Sequence, residues 1–141
     1  MNASDIRRLV QHHMERFNEH DWAVIEQEAA DDFIDHEEAP GFSNDAVGTR
    51  QRLEHLGAAF PDVHFEVLDT IADNRAAAVR LRITGTHEGD FMGIEATGRR
   101  IEWELVDIVR IDDHGKVTEH WGFGDTLALF RQLDAIPTGA V

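Results

Sequence analysis

Four side chains in the C-terminal half have the types and settings that acid–base chemistry requires: His87, Asp107, His120 and Asp125. Asp107 shares the parity of Ile101, Trp103, Leu105, Val109 and Ile111 in a run of period two, the mark of a half-buried strand. An acid on an apolar stripe is costly to bury charged, so it must be paired or have a raised pKa. A general base working near neutral pH needs that setting. Asp125 follows Gly124 and opens a helical pattern, so it reads as an N-cap or as a second catalytic carboxyl. His87 shares the parity of Val79, Leu81 and Ile83, as a core histidine or as the partner of Asp107. His120 and Trp121 have opposite parity, so only one points inward unless Gly122 or Gly124 marks a bulge. Either could donate a hydrogen bond to a developing enolate oxygen. His36, Phe91, Met92, Trp103, Trp121 and Phe123 are the candidate lining of a substrate pocket, the apolar ones being equally explained as core.

Positioning these groups takes two kinds of element. The first part of the chain reads as helices over 4–18, 22–30 and 45–60. Ser4-Asp5 is the expected cap of the first and Asp21 of the second. The pieces between them are an extended Asp31–His36 and a loop through Pro40-Gly41. After Pro61 the period changes from 3.6 to 2.0. Strands are expected over 63–72, 76–87, 101–111 and 116–123, with a turn at Asp112–Gly115. A last helix over 126–134 presents Leu127, Phe130 and Leu133, and 136–141 is a tail. The order predicts an α+β fold, a curved antiparallel-rich sheet with helices on its concave face, shaped as a cone with a pocket at its mouth.

The chain has 141 residues, no cysteine and a formal net charge of −15. It is expected to form a single domain, residues 1–141, in the cytoplasm. The charge argues against nucleic acid and anionic membranes as partners, and no apolar run reaches the ~20 residues of a membrane span. No HExxH motif or H-x-H pair falls on an expected element, so no metal site is expected. Ser4 and Ser43 are the only serines and neither sits at a nucleophile elbow.

A series of short motifs runs through nearly the whole chain: Asp35-His36 before the Pro-Gly loop, Ala59-Phe60-Pro61-Asp62, Gly85-Thr86-His87 with Gly89, and Phe91-Met92-Gly93-Ile94. Thr97-Gly98-Arg99, Asp107-Ile108-Val109-Arg110, Gly115-Lys116-Val117, Glu119-His120-Trp121, Asp125 and Gln132-Leu133 complete it. In this order they resemble the SnoaL-like polyketide cyclases, or ester cyclases, of the nuclear transport factor 2-like fold. The resemblance implies a cofactor-free intramolecular aldol cyclisation or isomerisation of a small hydrophobic carbonyl compound in an enclosed cone. It also implies an aspartate as acid and base, and a homodimer. Some members carry an acid directly after the Trp of the Glu-His-Trp motif; here that position is Gly122. A non-catalytic ligand-binding module and an epoxide or ester hydrolase are the alternatives.

Overall fold

The computed structural model describes residues 1–37 and 39–136. Helix α1 (Ala3–Asn18) turns Ile6, Val10, His13, Met14 and Phe17 to one side at helical spacing. Its cap is Asn2 rather than the expected Ser4 or Asp5: Asn2 Oδ1 accepts from Asp5 N, and Asp5 answers with its own carboxylate. Helix α2 (Val24–Glu28) is shorter than the expected 22–30 and has no side-chain cap. Asp21 is drawn into an ion pair with Arg16 instead. Ala29 and Ala30 leave the helix because strand β1 (Ala29–Asp35) begins there. Helix α3 (Ala46–Ala59) is capped by Asp45, whose Oδ1 accepts from Gly48 N at 2.8 Å.

Four antiparallel strands follow: β2 (His64–Ala72), β3 (Ala76–Thr86), β4 (Arg100–Ile111) and β5 (Val117–Gly124). The sheet order is β1-β5-β4-β3-β2, with β1 parallel to β5 at one edge. The fold is the expected α+β cone, a curved sheet with helices packed on its concave face. The extended piece before Pro40 thus becomes a fifth strand. The β4–β5 turn relies on Gly115 at φ 78, and on Asp112 Oδ1, which accepts from His114 N and Lys116 N. Helix α4 (Thr126–Leu133) closes the described chain and buries Leu129 and Leu133. Leu127, expected on its inner face, is 60% exposed, because the i, i+4 pair that meets the sheet is Leu129 and Leu133. The expected tail lies outside the described residues from 137 onward. No described helix is long and apolar enough to cross a membrane.

Along β3 and β4 the core face pairs Ile83 with Trp103, Leu81 with Leu105 and Val79 with Asp107. The opposite face is polar at Arg80 and Arg82, which meet Glu102 and Glu104. The β4–β5 register slips between Arg110 and Ile111: Ile111 faces Val117, whereas Arg110 faces Glu119. Thr118 is the extra residue of this bulge, and it inverts the parity of everything after it. Val117 and His120 therefore both point to the core side, and Trp121 points away.

Candidate active site

The concave side encloses a cavity of about 820 Å³, within the usual size range of small-molecule sites. Its wall is mostly apolar, with Val10, Met14, Leu53, Ile83 and Leu129 among its members. Along β4 every second residue from Trp103 to Val109 reaches it, Asp107 included. At Asp107 the wall becomes polar. His120, Glu37 and Arg52 join it there.

The polar group is built around His120. Its Nε2 lies 2.8 Å from Asp107 Oδ1, and its Nδ1 lies 2.8 Å from Asp35 Oδ1. The parallel register of β1 on β5 sets Asp35 beside His120, and the antiparallel register of β4 on β5 sets Asp107 against Gly122. Asp35 is anchored from behind. Thr49 Oγ1 donates to its Oδ2 at 2.8 Å, Arg52 Nη2 reaches the same oxygen at 3.2 Å, and Glu37 N donates to Oδ1 at 3.0 Å.

Burial alone pulls the His120 imidazole down, but the Asp107 and Asp35 carboxylates outweigh it and push it up to about 10. Burial likewise raises Asp35, yet its bonds to His120 and Thr49 and the Arg52 charge hold it well below the usual carboxylate range. At neutral pH His120 is therefore an imidazolium between two carboxylates. The Asp107 carboxyl thus has a charged partner at the wall of an apolar cavity. No hydrogen bond is made to the second oxygen of Asp107 among the described residues.

The structure brings together only part of the expected set. Asp107 and His120 meet, whereas the expected Asp107–His87 pair does not form. His87 lies on the same face but one step beyond the Thr86–Arg100 pair, eight residues along β3 from the Val79–Asp107 pair. At ~3.3 Å per residue that is a path of about 26 Å along the strand. His87 is 0% exposed, contacts Thr97 through Nδ1 and packs on Phe60; burial lowers its pKa. It does not line the cavity. Asp125 caps α4, accepting from Ala128 N at 3.1 Å, and does not line the cavity either. Of the expected lining, His36, Phe91, Met92 and Trp103 reach it; Phe123 borders it, but its pairing with Val106 puts its side chain, 65% exposed, on the outer face of the sheet. Trp121 does not: it stacks on His36, with ring centroids 4.6 Å apart, under the Arg110 guanidinium.

Asp35, Glu37, Thr49 and Arg52 were not among the candidates. Asp35 had a legible signal, since Phe33 and Asp35 repeat in β1 the alternation that singled out Asp107. Thr49 and Arg52 lie on a helix whose polar residues show nothing unusual in sequence. His13 and His55 also line the cavity, each with a buried Nε2 that lacks a hydrogen-bond partner among the described residues.

An apolar cavity walled by a curved sheet, with one acid–imidazole–acid chain at its edge, has the make-up of a small-molecule pocket. The family model described as SnoaL-like polyketide cyclase matches residues 7–133, and the chain belongs to that family. It is 33% identical over 72 residues to aklanonic acid methyl ester cyclase DnrD of Streptomyces peucetius. That match spans 51% of this chain and 49% of the relative. Thus the chain matches about half the length of its curated relatives. Among solved structures, AclR of Streptomyces galilaeus, provisionally assigned as a hydroxylase, is 30% identical. The match covers 96% of this chain and 99% of AclR, with a TM-score of 0.84. IdmH of Streptomyces antibioticus, provisionally assigned as a polyketide cyclase, is 28% identical. There the cover is 92% of this chain and 99% of IdmH, with a TM-score of 0.78.

Proposed function

We propose that this protein is a cofactor-free cyclase that closes a ring on a small hydrophobic polyketide-like carbonyl compound by an intramolecular aldol reaction. Asp107 is the base. The observation that carries this is the Asp107 carboxyl held by His120 at 2.8 Å at the wall of an otherwise apolar cavity. A carboxylate paired with an imidazolium is a weak base, suited to the acidic protons between two carbonyl groups. Proton removal leaves an enolate whose carbon lies folded against a second carbonyl, because the cavity holds both ends of the substrate in one volume. His120 keeps Asp107 ionised and oriented, and Asp35, Thr49 and Arg52 keep His120 in place.

The chain acts as one SnoaL-like domain, a reading supported by the family match over residues 7–133. It pairs as a homodimer through the outer face of the sheet, where Val106 and Ile108 lie beside Phe123, which is 65% exposed.

Aklanonic acid methyl ester is the first probe, because a curated relative is named as its cyclase. The wild-type chain is expected to consume it, with one cyclised isomer as product by chromatography and mass. Asp107→Asn is expected to lower that rate by about 100-fold or more, with an unchanged circular dichroism spectrum. A fully active Asp107→Asn variant refutes the role of Asp107. Tight binding with neither turnover nor hydron exchange refutes the enzyme and leaves a ligand-binding module.

A further inference from the structure

The polar end of the cavity holds a second carboxyl group that the scheme above does not use. Glu37 follows β1 and its side chain reaches across β5. A Cβ built on Gly122 would lie 2.2 Å from Glu37 Oε1, 2.8 Å from its Cδ and 3.4 Å from Asp107 Oδ1. The Glu37 and Asp107 carboxyls thus share the space over Gly122, which only a residue without a side chain leaves open. Both line the main cavity. Glu37 and Arg52 also line a smaller recess of about 270 Å³, so Glu37 stands between the two spaces.

Glu37 is placed but not saturated. Its backbone N–H donates to Asp35, and Arg52 Nη1 lies 2.5 Å from its Oε2. That approach lacks the alignment of a hydrogen bond, and Oε2 is buried with no hydrogen-bond partner among the described residues. A buried, under-satisfied acid beside a substrate cavity calls for an explanation.

Resting on the reading of Asp107 as base, we propose that Glu37 is the proton donor that quenches the alkoxide formed on ring closure. Asp107 takes the proton as the C–H bond breaks. The enolate carbon forms the new C–C bond, and the electron pair of the attacked carbonyl moves onto its oxygen. The Glu37 O–H bond then breaks and its proton passes to that oxygen. The product is an isomer of the substrate. Asp107 is left protonated and Glu37 ionised, and return of that proton to Glu37 restores both without any co-reactant.

The surroundings divide the labour between the two acids. Burial raises Glu37 first; the Arg52 and His120 charges pull it back, and the Asp107 and Asp35 charges push it up again, for a net rise. Two carboxyls whose environments separate their affinities for a proton are an acid–base pair in waiting. They are also coupled. Once Asp107 has taken the substrate's proton, its negative charge no longer opposes ionisation of Glu37, so Glu37 becomes a stronger acid when the alkoxide appears.

Two measurements on the full chain test this. In the first, ¹³C NMR follows the side-chain carboxyls of labelled glutamates, with Glu37 assigned by its loss in Glu37→Gln. Glu37 is expected to titrate above the exposed glutamates and to move down in Asp107→Asn. A Glu37 that titrates with the exposed glutamates, or does not move, overturns the proposal whatever the substrate. In the second, aklanonic acid methyl ester in D2O reports hydron exchange and ring closure separately. Glu37→Gln is expected to keep exchange within several-fold and lose ring closure by about 100-fold, whereas Asp107→Asn loses both. Glu37→Ala with Gly122→Asp, which returns a carboxyl to the same space from β5, is expected to recover closure. Ring closure at the wild-type rate in Glu37→Gln overturns the proposal. Exchange that survives in Asp107→Asn refutes the base assignment instead, which separates the two failures.

Discussion

Replacing Asp35 by Asn removes one negative charge from a nearly dry site while leaving its volume almost unchanged. The Asp35 side chain is 4% exposed and receives four donors: His120, Thr49, Arg52 and the Glu37 amide. One asparagine oxygen can serve two of them. The amide NH2 must then face either the His120–Glu37 side or the Thr49–Arg52 side. Thr49 can adapt, since its hydroxyl also reaches the Asp45 carbonyl at 2.9 Å. Arg52 cannot, and neither can a protonated His120. Breaking a buried pair by removing one partner costs about 3–5 kcal/mol. Against a total stability of about 5–15 kcal/mol that is a large share, and it corresponds to a fall in Tm on the order of 10 °C. The His120 pKa should fall from about 10 toward its ordinary value, because one of its two carboxylate partners is gone. Urea denaturation measures the first effect and an NMR titration of the imidazole the second. A cost below about 1 kcal/mol, together with an unmoved His120 titration, would show that Asp35 does not hold the imidazolium.

The pH profile of stability follows from the same chain. His120 is raised, so its contribution is complete below about 6.5 and is lost as pH rises through about 10; Asp35 is lowered, so its contribution is complete above about 3.8 and is lost in acid. Glu37, raised, weakens the fold in the same alkaline direction. Denaturation midpoints should therefore peak near pH 4–6.5 and fall by pH 9.5, and midpoints that climb from pH 7 to 9 would contradict the charge assignment. For the dimer, light scattering at micromolar concentration should give twice the chain mass for wild type and the monomer mass for Phe123→Glu. A monomeric wild type removes the outer-face pairing.

Sequence periodicity was enough for the architecture. Helices carry their signal in contacts three and four residues apart, and β3 and the first half of β4 carry theirs in simple alternation, so both are local. The same alternation placed Asp107 on the core side, beside Trp103 and Leu105, where the structure has it. The hairpin pairings held, but the expected Asp107–His87 pair, which needed distance along a strand, did not form. His87 has the right parity, but parity says only which face a residue is on; eight residues of β3 separate it from Asp107. His120 and Trp121 were undecidable because the bulge that chooses between them falls at Thr118, a register slip that β4 and β5 settle together. Asp35 and Glu37 enter the site only because β1 lies parallel to β5, and two strands so far apart in sequence share no local pattern. Gly122 read as an absence along the chain, and folding turned it into the space where the Glu37 carboxyl sits beside Asp107.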